Sequence, residues 1–141
     1  MRIKSLIGWV FMVMLFSSAA VYAQKSKTVV DDTAVHLQDK TAFIVTSDKP
    51  VFVIKLKSNP TTGYTWFLRE YSTKMLTPVK HYYEVPQTKL IGAPGYELWT
   101  FRVNQEAFIV PQMLTLRLIY ARPWKSTDAS TEVIFRVMTG K

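Results

Sequence analysis

Cysteine is absent from this 141-residue chain. Its absence excludes disulfides, thiol nucleophiles, thiolate metal sites and a lipobox-type lipid anchor, so the fold must stand on packing alone. Histidine is nearly absent too: His36 and His81 are the two in the sequence. They lie far apart, match no HExxH-like zinc spacing and support no local Ser-His-Asp arrangement. With no clustered acid/base pair either, no enzyme activity, metal or other cofactor is expected. No segment of helical period is long enough to use, and after the N-terminal region no apolar run could span a bilayer.

Acidic residues are outnumbered 10 to 18 by Lys and Arg, for a formal charge of +8. The excess is dispersed: Lys55, Lys57, Lys74, Lys80 and Lys89 are separated by apolar or acidic residues, unlike the polybasic arms of nucleic-acid binders. A basic soluble domain is preferred over a nucleic-acid binder, and an acidic partner surface stays open.

The N-terminus carries its own signal. Arg2 and Lys4 precede the uncharged run Leu6 to Phe16, and small residues lead to Val21-Tyr22-Ala23. That order fits a secretory signal peptide over 1–23, cut after Ala23, with a mature domain over 24–141 and no membrane association after cleavage. The alternative is a retained anchor, since the uncharged stretch sits at the lower edge of spanning length. A secreted or periplasmic monomer is expected.

Beyond the leader the pattern is of short strands. Ala34 to Leu37 and Thr41 to Thr46 read as strands, Ser47 to Pro50 as a turn, and Val51 to Lys57 as a strand burying Phe52, Ile54 and Leu56. Thr65 to Glu70 follows, with Trp66 as the central core aromatic. Pro78 to Val85 is expected to show Val79, His81, Tyr83 and Val85 on one face. Tyr96 to Val103 buries Trp99, Phe101 and Val103. Met113 to Tyr120 buries Leu114, Leu116 and Leu118, and Thr131 to Met138 buries Val133, Phe135 and Val137. Seven to eight such strands predict an all-β, immunoglobulin-like antiparallel β-sandwich, with a closed barrel as the alternative.

Strand parity then organises the loops. If successive strands from Val51 onward reverse direction, the connections around Asn59, Gly92 and Arg122 all emerge at one end of the sandwich. Each is unusual. Asn59-Pro60-Thr61-Thr62-Gly63-Tyr64 is stiff: Pro60 fixes its own φ and pushes Asn59 toward extension, the threonines are β-branched, and Gly63 permits a left-handed turn. Gly92-Ala93-Pro94-Gly95 is glycine- and proline-rich. Arg122-Pro123-Trp124 places an exposed Trp beside an Arg, the residue types that dominate interface energetics; the alternative is Trp124 folded back on its strand with Arg122 stacked on it.

Asn59 to Trp66, the Gly92 to Gly95 loop with Phe101 after it, and Arg122-Pro123-Trp124 together resemble the motifs of chagasin-like proteins, inhibitors of papain-family cysteine peptidases. The resemblance covers nearly the whole chain after the leader. It implies a reversible inhibitor whose partner is a papain-like cysteine peptidase. Asn59, Pro60, Thr61, Thr62, Gly63 and Tyr64 would plug the active-site cleft, with Thr61 and Thr62 nearest the catalytic thiol. Gly92 and Gly95 would let the second loop, with Ala93 and Pro94, approach one flank, and Arg122, Pro123 and Trp124 would cover the other. Members of that family commonly have two adjacent glycines where Pro94-Gly95 stands here, and Pro94 removes a backbone donor. The alternative function is a non-inhibitory immunoglobulin-like binding module of the cell envelope using the same tip.

Overall fold

Period-2 alternation decides the architecture. The computed structural model describes residues 33–88, 90–125 and 131–140, so the signal-peptide reading of 1–23 and the start of the mature chain lie outside the described residues. Eight strands follow in order: β1 (Ala34–Leu37), β2 (Ala42–Thr46), β3 (Val51–Ser58), β4 (Thr65–Tyr71), β5 (Leu76–Glu84), β6 (Gly95–Val103), β7 (Met113–Ala121) and β8 (Thr131–Gly140). Two 3-10 turns, Pro60–Thr62 and Gln105–Phe108, lie between strands.

The strands form two four-stranded sheets, ordered β1-β3-β6-β5 and β2-β8-β7-β4. This is the expected sandwich; two separate sheets are not the closed barrel. Between them lie the alternate residues named from the sequence: Phe52, Ile54 and Leu56 of β3, Phe101 and Val103 of β6, Leu114, Leu116 and Leu118 of β7, and Val133, Phe135 and Val137 of β8. Burying side chains of this size is worth about 1.5–3 kcal/mol each, the main favourable term in a chain with no covalent cross-link. Trp66 joins this core at 3% exposure, while Trp99 packs against it only half-buried.

Two features depart from the sequence expectation. Consecutive strands from β3 onward are antiparallel where they pair, but β1 pairs parallel with β3 and β2 pairs parallel with β8, so both sheets are mixed. The short β1–β2 link carries the chain from one sheet to the other, and each of these strands then caps an edge. The second departure is in β5. A register shift between Pro78 and Lys80 interrupts the alternation, so Val79 is 51% exposed, and Val85, past the strand end, is 68% exposed. Proline donates no ladder hydrogen bond, which suits it to this edge strand.

The β1 and β2 edges meet at His36, whose imidazole stacks on Phe43 with ring centroids 3.5 Å apart. His36 Nε2 is buried and finds no hydrogen-bond partner among the described residues. Burial, and then the charge of Lys40, hold its pKa below the ordinary 6.5. The folded state thus favours the neutral ring. The stability this contributes is complete above 6.5 and is lost as the pH falls through that value toward the lower folded one. Chemical denaturation between about pH 7 and about pH 5 should show a falling midpoint, and His36→Phe should flatten that fall. An identical pH profile for the two proteins would refute the assignment.

Candidate functional site

Between β3 and β4 the chain must leave one sheet and enter the other, and residues 59–64 make that crossing. Asn59 is held near extended geometry (φ −133°, ψ 88°), as a residue before proline should be. Pro60 then starts the 3-10 turn. The turn is closed by Thr62 N–H donating to the Asn59 carbonyl (3.1 Å) and Gly63 N–H to the Pro60 carbonyl (2.9 Å). Thr62 Oγ1 also donates to the Asn59 carbonyl, and Thr61 Oγ1 to Asn59 Oδ1. Gly63 ends the turn at φ 78°, a left-handed conformation that an L side chain adopts only at a cost. Pro60, Thr61 and Thr62 are left exposed at the apex.

The other two loops reach this one directly. Asn59 Nδ2 donates to the Gly92 carbonyl at 3.0 Å, and Gly92 itself has φ 77°. Arg122 Nε donates to the Thr62 carbonyl at 3.2 Å. Arg122 to Lys125 form a tight turn closed by Lys125 N–H on the Arg122 carbonyl, which sets Pro123 and Trp124 at its corner. All three sequence-predicted segments therefore share one end of the sandwich.

An aromatic column fixes the site to the core. The Arg122 guanidinium lies over the Tyr64 ring (4.6 Å), Tyr64 stacks on Tyr120 (5.3 Å), and Tyr120 packs on buried Trp66 (5.1 Å). Tyr120 Oη also accepts the Asn59 N–H at 2.8 Å. Arg122 thus stacks on Tyr64 rather than on Trp124. Trp124 is 69% exposed, with its ring edge against Gly63, where an added Cβ would fall 2.7 Å from Cη2.

The second loop differs from its sequence reading. Gly95 is not at the tip: it is buried at the start of β6, where a Cβ would fall 2.3 Å from the Glu84 carbonyl oxygen and 2.4 Å from Tyr83 Oη. Its missing side chain serves the fold. Ala93 is half-buried, and Pro94 is exposed beside Asn59, Trp66 and Tyr120 along a cleft of about 280 Å³. Missing from the sequence reading are Leu90 and Ile91, which stand 75% and fully exposed just before Gly92. Two adjacent large apolar residues within a glycine-proline loop were the signal available. Among the described residues no group of His, Asp or Glu could hold a metal ion.

Residues 46–138 match the family described as chagasin family peptidase inhibitor I42. Chagasin of Trypanosoma cruzi is 34% identical over 83 residues, spanning 56% of this chain and 71% of that protein. The cysteine protease inhibitor EhICP2 of Entamoeba histolytica shares the fold with a TM-score of 0.61 at 21% identity, over 77% of this chain and 98% of its own. PbICP-C, solved in complex with falcipain-2, gives a TM-score of 0.56 at 15% identity, over 77% of this chain and 91% of its own.

The contact between Gly63 and Trp124 is testable in the isolated protein. Gly63→Ala should cost about 1–2 kcal/mol of stability for the left-handed backbone and should push the Trp124 ring away. The checks are urea denaturation and a change in Trp emission that vanishes in a Trp124→Phe background. Unchanged emission would refute the packing.

Proposed function

The chain belongs to the chagasin family of peptidase inhibitors, and from that premise we propose that its three tied loops are the surface that blocks a papain-like cysteine peptidase. The protein is an inhibitor of such enzymes and not an enzyme itself. The observation that carries the site reading is the pair of hydrogen bonds, Asn59 to the Gly92 carbonyl and Arg122 to the Thr62 carbonyl, which join three loops into one tip.

The chemistry of that tip favours occlusion without cleavage. A peptide bound along a protease cleft lies extended, as in other strand-like recognition modes. Pro60 to Gly63 instead bend through a hydrogen-bonded 3-10 turn and cannot straighten without breaking Thr62 N–H and Gly63 N–H from their acceptors. Thr61 and Thr62 would face the catalytic thiol with no extended peptide bond offered to it. The turn is already ordered, so little conformational entropy is lost on docking.

Leu90 and Ile91 on one flank and Trp124 on the other supply the apolar contact area. Arg122, stacked and hydrogen-bonded, supports the turn more than it reaches outward. Gly95 acts from inside the fold. Export from the cytoplasm is part of this proposal, supported by the basic start, apolar centre and small-residue end of residues 1–23.

Titration of papain-like peptidases with the chain from Gln24 onward should give stoichiometric, reversible inhibition. Trp124→Ala should weaken it by roughly 2–4 kcal/mol, and Thr61→Asp should weaken it by setting a charge in the plug. Failure to inhibit any of several such enzymes at micromolar concentration would sink the proposal.

A further inference from the structure

Ser58 ends β3 in one sheet, and Thr65 and Trp66 begin β4 in the other. Because the two strands lie in different sheets, no backbone ladder joins the stems of the central loop. Something else must hold them at a fixed separation, or the turn at Pro60–Thr62 would ride on two independent ends.

A single carboxylate sits at that point. Glu97 of β6 is only 1% exposed. Its Oε1 accepts from Ser58 Oγ at 2.6 Å on the entering stem, and from Thr65 Oγ1 at 2.9 Å and Trp66 N–H at 3.2 Å on the leaving stem. Its Oε2 lies 2.9 Å from His81 Nε2 of β5, the strand that leads into the second loop. Trp66 Nε1 adds a neighbouring tie across the same gap, donating to the Lys57 carbonyl at 3.0 Å. A carboxylate buried this deeply is tolerable only when its oxygens are saturated with donors, and such charge-assisted bonds are about twice as strong as neutral ones.

We propose that Glu97 is the positioning residue of the inhibitory tip: it bolts both stems of the 59–64 loop to one oxygen and, through His81, couples them to the base of the second loop. It touches no peptidase. It acts by keeping the turn ordered before the partner arrives. The proposal rests on the inhibitory reading for its consequence, but its structural half can be read in the free protein.

The experiment compares wild type with Glu97→Leu, Glu97→Gln and Thr65→Val, using backbone order parameters of the free protein and inhibition of a papain-like peptidase. Wild-type Thr61 to Tyr64 should show values near the rigid level of about 0.85, and Glu97→Leu should lower them toward about 0.6 while β7 and β8 stay rigid. Inhibition should weaken roughly ten- to a hundredfold, the cost of ordering a loosened loop of several residues when it docks. Glu97→Gln, whose amide oxygen can accept from the same donors, should restore most of both. Should Glu97→Leu not fold, Thr65→Val removes one donor at a half-buried position and reads the same effect on a smaller scale.

An unchanged loop in the folded variants would overturn the proposal. So would loosening spread evenly over all strands, or unchanged inhibition by a variant whose loop has loosened. If no peptidase is inhibited even by wild type, the order parameters still decide whether Glu97 holds the loop, so the two failures remain distinguishable.

Discussion

Of the places where the chain passes between the sheets, the one made by the six residues from Asn59 to Tyr64 accounts for most of what is unusual in this protein. Elsewhere in a sandwich, ladder hydrogen bonds satisfy the backbone and fix strand spacing together. At this crossing no ladder is available: the 3-10 turn satisfies part of its own backbone, and side chains must satisfy the rest and hold the stems apart. Here they are a buried carboxylate, an indole N–H, a phenol hydroxyl and an asparagine amide, each bonded to a backbone or side chain of another segment. The restricted backbone of Pro60 and Gly63 removes what freedom those bonds leave.

Burial and exposure divide along the same line. The core of Phe52, Ile54, Phe101, Leu116 and Phe135 makes no polar demands and could belong to any sandwich. Toward the tip the packing becomes mixed: Trp66 is buried, Tyr120 is half-buried against it, Tyr64 stacks outside Tyr120, and Arg122 closes the column. The column runs from an indole through two phenols to a guanidinium. Such a gradient lets a loop be anchored in the core while its outer surface stays wet. The apolar residues that remain outside, Leu90, Ile91 and Trp124, flank the turn rather than form it.

The sequence carried the core and the three loops plainly, because period-2 alternation and the Asn59, Gly92 and Arg122 motifs are local patterns. It carried long-range pairing poorly. Parallel placement of β1 beside β3 and β2 beside β8 depends on partners remote in the chain, and nothing local in Ala34 to Leu37 announces it. The β5 reading failed because an edge strand is under weak burial constraint, so Pro78 could break its register without cost to the core. Glu97 was legible in part. It falls in phase with Trp99, Phe101 and Val103, and a charge at an inward position of a strand is a signal that donors must converge on it. Which donors converge could be known only in three dimensions.

Rigidity at the tip is bought from different sources on its two sides, and this bears on how the tip could diverge. The Asn59 loop draws its order from buried groups, above all Glu97, and from the Pro60 ring and the Thr61 and Thr62 hydroxyls at its apex, so a substitution there alters both what is presented and part of how it is held. The Arg122 turn leans on that loop: Arg122 and Trp124 meet the first loop's Thr62 carbonyl, the Tyr64 ring and the face of Gly63. A change at Gly63 or Tyr64 therefore propagates outward to Arg122 and Trp124, which pack on them. Variation in partner preference is then cheapest at Trp124, Leu90 and Ile91, and costliest along the column from Arg122 to Trp66.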